Sequence, residues 1–66
     1  MRVIVNGREM MLDGGLSLRD LIASVHADPA VVVAELNRNI VPSSAFSETM
    51  LQDGDRVELL SFVGGG

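Results

Sequence analysis

The segment of this 66-residue sequence best suited to chemistry is residues 61–66, which read SFVGGG. Glycines lack Cβ atoms and can run extended through a slot too narrow for other residue types. Three of them reach about 10 Å beyond the preceding strand, and the group delivered there is the carboxylate of Gly66. ATP can convert a carboxylate to an acyl-adenylate, from which a sulfide-equivalent or an amine displaces AMP. A flexible tail or a cloning remnant is the alternative explanation.

The other candidate groups lack the partners that catalysis or metal binding needs. His26 is the single histidine and there is no cysteine, so we interpret it as a structural or solvated residue. Asp53 and Asp55 flank Gly54, which is typical of a tight turn, because the further ligands of a calcium loop are missing. The Asp-Gly-Gly segment 13–15 lacks the glycine spacing and lysine of a phosphate loop. The sequence therefore indicates no enzyme active site, no metal site and no bound cofactor.

Charge and composition exclude several classes of partner. The net charge is −4, which argues against nucleic acid and anionic membrane surfaces, because both are bound by fields of Lys and Arg. No apolar run reaches the roughly 20 residues of a membrane-spanning helix. We expect a cytoplasmic protein whose partners are electropositive or apolar. Without lysine or cysteine, the chain can neither build isopeptide chains on itself nor carry sulfur as a persulfide.

The first part of the chain predicts a hairpin followed by a helix. Within residues 1–12, an alternating segment leads into an Asn-Gly pair at position 6, a strong two-residue hairpin turn, and residues 8–12 would return antiparallel. Ser17 and Asp20 have the spacing of a capping box that begins a helix, and an Asp-Pro pair at position 28 ends the helical region. Between them, an apolar stripe at helical spacing consists of Leu18, Leu21, Ile22 and Val25.

The second part of the chain predicts three further strands. Residues 31–36 are β-branched and short, residues 40–41 form a brief strand before a proline, and residues 56–63 form the last strand. A helical turn before the last strand is expected to be anchored by Phe46 and Leu51.

These elements predict an α+β domain of two layers. One helix covers only one face of a sheet, so the other face is expected to remain in contact with water. We expect a mixed sheet of four to five strands, with the first and last strands side by side at its centre. The domain would span residues 1–63, followed by a flexible glycine tail at residues 64–66.

The solvent face of the last strand is the candidate partner-binding surface. Arg56 and Glu58 mark this face, and by alternation Leu60 and Phe62 point the same way. Ile4 would join them if the first strand is a neighbour. An exposed apolar patch is commonly a binding surface, although a Phe62 ring folded back over the sheet edge is the alternative. The predicted partner-binding residues are Ile4, Leu60, Phe62 and Val63.

The whole chain resembles the ThiS family, the sulfur carriers of thiamin biosynthesis within the ubiquitin-like β-grasp fold. The resemblance rests on the hairpin, the single helix, NRNIVP at 37–42 and LQDGDRVELLSFVGGG at 51–66. A Gly-Gly terminus is shared by the whole superfamily, whereas the Asn-rich turn, IVP and DGD are more specific. The chain departs from the family at Ser43, where many members have arginine, and at Phe46, which replaces a tryptophan.

The resemblance implies a function and partners. In the family, a ThiF-like adenylating enzyme uses ATP and Mg to activate the terminal glycine. A persulfide protein supplies the sulfur, and the resulting thiocarboxylate serves a ThiG-like thiazole synthase. By this match Gly66 carries the sulfur, Gly64 and Gly65 thread into the partner, and the chain is a carrier rather than an enzyme. The alternatives are a MoaD-like or cysteine-synthesis carrier, a ubiquitin-like protein modifier and a plain β-grasp binding module.

Overall fold

Five strands and one α-helix make up the structure, a computed structural model that describes residues 1–61. The helix separates two strands from three, which is the predicted order of elements. In chain order the elements are β1 (Arg2–Val5), β2 (Arg8–Met11), α1 (Leu18–Ser24), β3 (Val32–Leu36), β4 (Asn39–Val41), a 3₁₀ turn (Ser43–Ala45) and β5 (Arg56–Ser61).

The strands form one mixed sheet in the order β2-β1-β5-β3-β4. β1 and β5 are parallel, with Ile4 opposite Arg56, and the other neighbouring strands are antiparallel. The first and last strands therefore lie side by side at the centre of the sheet, as predicted. A two-residue loop such as the one that joins β1 to β2 produces an antiparallel pair, whereas the parallel β1–β5 pair needs the long crossover that contains α1.

The helix begins at the predicted capping box. The Asp20 N–H donates to Ser17 Oγ at 3.1 Å, and the Ser17 N–H donates to Asp20 Oδ2 at 2.9 Å. The backbone hydrogen bond from Ser17 is the main cause of a lowered pKa of the Asp20 carboxyl. The two bonds satisfy backbone donors that the first helical turn would otherwise leave without partners.

The helix ends earlier than the Asp-Pro pair at position 28 predicts. It stops at Ser24, and His26 takes a left-handed conformation with φ of 60°. The Ala27 N–H then donates to the Ile22 carbonyl, and the His26 N–H to the Ala23 carbonyl, each at 3.0 Å. This pair of bonds is a Schellman motif, which satisfies the last helical carbonyls. His26 is thus a helix-terminating residue with an exposed side chain.

The core lies between α1 and one face of the sheet. Phe46, only 1% exposed, is the largest fully buried side chain, and Leu51 is also buried, so both predicted anchors are confirmed. The buried apolar residues are Val3, Val5, Leu18, Leu21, Ile22, Val32, Ala34, Phe46, Leu51 and Val57. Val25, predicted as part of the apolar stripe, is half-buried and packs against this core from the end of the helix.

Within residues 1–61, no helix has the length and apolar character needed to cross a membrane.

Candidate functional site

The outer face of β5 carries Leu60, one of the predicted partner-binding residues. Along this strand Val57 is buried and Leu59 half-buried, whereas Arg56 and Glu58 are exposed. Leu60 follows the same alternation and is 52% exposed. A large apolar side chain therefore stands in solvent near the end of the central strand, one residue before the last one described.

Leu60 has an apolar neighbour that the sequence interpretation missed. Val33 of β3 lies directly opposite Leu60 in the antiparallel ladder and is 37% exposed. A signal for it was available in the sequence, because the charged residue Glu35 follows two positions later, and residues two apart on a strand share a face.

Ile4 lies on the same face of the sheet but not beside Leu60. It pairs with Arg56 and is half-buried. Leu60 lies four positions after Arg56, a distance of about 13 Å along a strand. The first and last strands are neighbours as expected, but their parallel register places Ile4 and Leu60 at opposite ends of β5.

Two carboxylates lie beside the apolar pair. Glu58 of β5 is directly opposite Glu35 of β3, and Ile40 of β4 is the other cross-strand neighbour of Glu35. Like charges directly opposite each other on a sheet are destabilising. The ion pair that residues 1–61 contain joins Arg2 to Glu9 elsewhere on the sheet, so neither Glu35 nor Glu58 forms an ion pair within this part of the chain. We call this surface the outer patch; it consists of Val33, Glu35, Ile40, Glu58 and Leu60.

The aspartates of the DGD segment hold the backbone. Asp53 Oδ1 accepts a hydrogen bond from the Arg2 N–H at 2.7 Å. Asp55 Oδ1 accepts from Asn37 Nδ2 at 3.0 Å, and Asp55 Oδ2 accepts from the Gln52 N–H at 2.8 Å. The segment is therefore a turn that connects the start of β1, the β3–β4 turn and the start of β5. Over residues 1–61, no group of three or more His, Asp or Glu side chains could hold a metal ion.

A cleft of about 310 Å³ opens beside the helix and the 3₁₀ turn, with none of the predicted site residues in its walls. Its lining consists of Arg19, Pro29, Ala30, Ser43, Ser44 and Phe46.

The remaining predicted site residues lie outside the described residues. They are Phe62 and Val63 of the predicted partner-binding set, Gly64 and Gly65 of the predicted threading segment, and Gly66, the predicted sulfur-carrying residue.

Known protein families and solved structures show similarity to this chain over almost its whole length. A family model described as the ThiS family matches residues 3–66. The chain belongs to the ThiS family. Among solved structures, the ThiS thiamine biosynthesis protein of Geobacter metallireducens is 38% identical, with both chains fully covered and a TM-score of 0.82. The predicted β-grasp fold class is therefore confirmed.

Two kinds of curated relative accompany the ThiS match. The sulfur carrier protein ThiS of Bacillus subtilis is 36% identical over 50 residues, which is 76% of each chain. The thiazole synthase of Paramagnetospirillum magneticum is 32% identical over all 66 residues. This chain spans only about one fifth of the length of that synthase and of a second one from Magnetococcus marinus. A ThiS-like segment thus occurs both as a small protein and as part of a longer one.

Proposed function

We propose that this protein is the sulfur carrier of thiazole formation in thiamin biosynthesis, and that the Gly66 carboxylate carries the sulfur. The similarity to ThiS over residues 3–66 is the observation that carries this proposal, and relatives named sulfur carrier protein ThiS in Bacillus subtilis and Escherichia coli support it. The composition agrees, because a chain without cysteine has no thiol on which to hold a persulfide. The protein is then a substrate of its partner enzymes.

The proposed chemistry has two stages. In the first, a ThiF-like enzyme with ATP and Mg directs a Gly66 carboxylate oxygen onto the α-phosphorus of ATP, which forms the acyl-adenylate and releases pyrophosphate. In the second, the terminal sulfur of a protein persulfide attacks the acyl carbon, the carbon–oxygen bond to AMP breaks, and an acyl disulfide forms. A thiol then cleaves the sulfur–sulfur bond, leaving the thiocarboxylate on Gly66 and a new disulfide on the donor side.

A ThiG-like thiazole synthase is the proposed acceptor of the sulfur. Two thiazole synthases contain a segment similar to this entire chain. A carrier that occurs inside the same polypeptide as the synthase has a high effective concentration for it. These relatives support a ThiG-type synthase as the partner of this protein.

The outer patch is the proposed docking surface for the adenylating enzyme. Leu60 and Val33 offer an exposed apolar pair next to the glycine-bearing end of the chain, and apolar side chains commonly anchor protein interfaces. The opposed Glu35 and Glu58 favour a partner that presents a basic side chain, because such a group would relieve their mutual repulsion. Phe62, the next residue of this alternation in the sequence, is proposed to extend the same surface.

Leu60→Asp should weaken binding to the adenylating enzyme while the domain stays folded. A central apolar anchor typically contributes about 2 kcal/mol or more to an interface, so we expect the dissociation constant to rise about 30-fold or more. Isothermal titration calorimetry with the ThiF-like enzyme measures the change. The matched control is Met11→Asp, because Met11 is also apolar and 76% exposed, but belongs to the edge strand β2. Equal losses of affinity in both variants would contradict docking at the outer patch.

The proposed function itself is tested by intact-mass spectrometry. Incubation of the full chain with ATP, Mg, the adenylating enzyme and a persulfide donor should exchange one oxygen for one sulfur and raise the mass by that difference. Tandem fragmentation should place the change at Gly66. Recovery of the chain in amide linkage to lysines of other proteins, with no such exchange, would instead identify a protein modifier.

A further inference from the structure

Asn6 makes more contacts with β5 than a turn residue needs. Its N–H donates to the Val57 carbonyl at 2.9 Å and continues the β1–β5 ladder by one residue. Its side chain continues the ladder further. The Leu59 N–H donates to Asn6 Oδ1 at 2.8 Å, and Asn6 Nδ2 donates to the Leu59 carbonyl at 3.3 Å. One carboxamide thus satisfies both backbone polar groups of Leu59.

The Asn6 side chain contacts β5 at the point where the parallel pairing of β5 with β1 stops. β1 ends at Val5, and beyond it the chain turns into the hairpin, so β5 loses its parallel partner strand. The Asn6 carboxamide takes the place of a backbone peptide at that point, since it offers one donor and one acceptor in a similar arrangement. Leu60, which belongs to the proposed docking surface, directly follows Leu59 in the chain.

The turn alone does not account for this side chain. Asn6 and Gly7 have φ of 50° and 82°, the conformation of a type I′ turn, in which Gly-Gly is also favoured. Glycine at position 6 would therefore satisfy the backbone but leave the Leu59 N–H and carbonyl without their side-chain partner. The selection of asparagine over glycine adds the two bonds to β5.

We propose that Asn6 is a positioning residue for the carrier reaction: its carboxamide holds Leu59, and so fixes the direction in which β5 leads to the reactive end of the chain. This inference rests on the proposed function of Gly66. Reaction at a terminal carboxylate depends on near-attack geometry, in which a displacement of about 1 Å can slow the reaction about 100-fold. A residue that orients the strand before the tail acts on that geometry through the chain, without touching ATP.

The test compares Asn6→Gly with Gly7→Ala. Asn6→Gly removes the carboxamide and keeps a residue that tolerates positive φ. Gly7→Ala strains the same turn, because Gly7 has φ of 82°, yet an added Cβ meets no atom within 4 Å and the Asn6 carboxamide is not removed. The readouts are the steady-state rate of ATP–pyrophosphate exchange with the adenylating enzyme and the amide hydrogen exchange of Leu59.

Asn6→Gly should lower kcat for the exchange about tenfold with KM little changed, because the docking side chains remain while the geometry of delivery is lost. The Leu59 amide should exchange about tenfold faster or more, with Val57 as an internal reference. Gly7→Ala should change neither the kcat nor the Leu59 exchange. A wild-type kcat in Asn6→Gly, or an equal loss in Gly7→Ala, overturns the inference.

Failure of the proposed function is distinguishable from failure of this inference. If the wild-type chain is not adenylated at all, the proposed function is wrong. The effect of the Asn6–Leu59 hydrogen bonds on the strand is then measured by ¹⁵N heteronuclear relaxation of the Leu60 and Ser61 amides. Greater fast motion of these amides in Asn6→Gly than in Gly7→Ala supports the positioning role of the carboxamide, and equal motion rejects it.

Discussion

Removal of Gly66 is expected to abolish sulfur acceptance and leave the domain folded. The shortened chain still ends in Gly-Gly, so its terminal group has the same chemistry but lies one residue nearer to the docking surface. One residue of extended chain spans about 3.3–3.6 Å, several times the roughly 1 Å displacement that can cost 100-fold in rate. Intact-mass spectrometry after incubation with ATP, the adenylating enzyme and a persulfide donor should show no oxygen-to-sulfur exchange.

Two measurements complete this experiment. Thermal unfolding by circular dichroism should match the wild type, because Gly66 has no side chain that could contribute to a hydrophobic core. Gly66→Ala serves as the matched variant, since it keeps the length and the carboxylate but adds a Cβ that a narrow slot would exclude. Sulfur acceptance by the shortened chain at the wild-type rate would show that the distance from the outer patch to the carboxylate is irrelevant to the reaction.

Phe46→Ala is expected to remove a large part of the protein's free energy of unfolding. Phe46 is the largest fully buried side chain and is only 1% exposed, and truncation of a buried phenylalanine costs about 3–5 kcal/mol. A chain of this length has a total stability of roughly 3–10 kcal/mol, so the loss lies between about one third of it and all of it. Urea denaturation followed by circular dichroism measures the free energy of unfolding.

Phe46→Leu and Leu60→Ala are the comparisons for this variant. Phe46→Leu preserves most of the apolar volume and should remain folded, with a smaller loss of stability. Leu60→Ala removes an exposed side chain and should change stability by about 0.5 kcal/mol or less. If Phe46→Ala lost no more stability than Leu60→Ala, the burial of Phe46 in the core would be wrong.

The elements of the fold could be predicted where the signal is local. The Asn-Gly turn, the Ser17–Asp20 capping box and the alternation of β5 each depend on residues a few positions apart, and the structure contains all three. The end of the helix was less predictable. His26 adopts the left-handed conformation there. Glycine usually occupies that position, and the sequence has no glycine at the end of this helix.

The candidate site was less predictable than the fold, because its geometry depends on register. Alternation placed Leu60 on the solvent face, but only the pairing of β3 with β5 sets Val33 opposite it. The parallel register of β1 and β5 separates Ile4 from Leu60. The hydrogen bonds between Asn6 and Leu59 join residues 53 positions apart, and no local pattern in the sequence specifies such a contact.

The central place of β5 has a consequence for how the protein is made. β1 with β2 and β3 with β4 are two hairpins that the sheet joins only through β5, and β5 is the last of the five strands to be synthesised. On the ribosome, the earlier strands therefore have no complete sheet to enter until β5 emerges, so folding is completed late in translation. A chain that stops before β5 lacks Leu60, the central strand and the glycines together. A product interrupted before β5 therefore cannot act as a folded competitor of the full chain at the proposed adenylating enzyme.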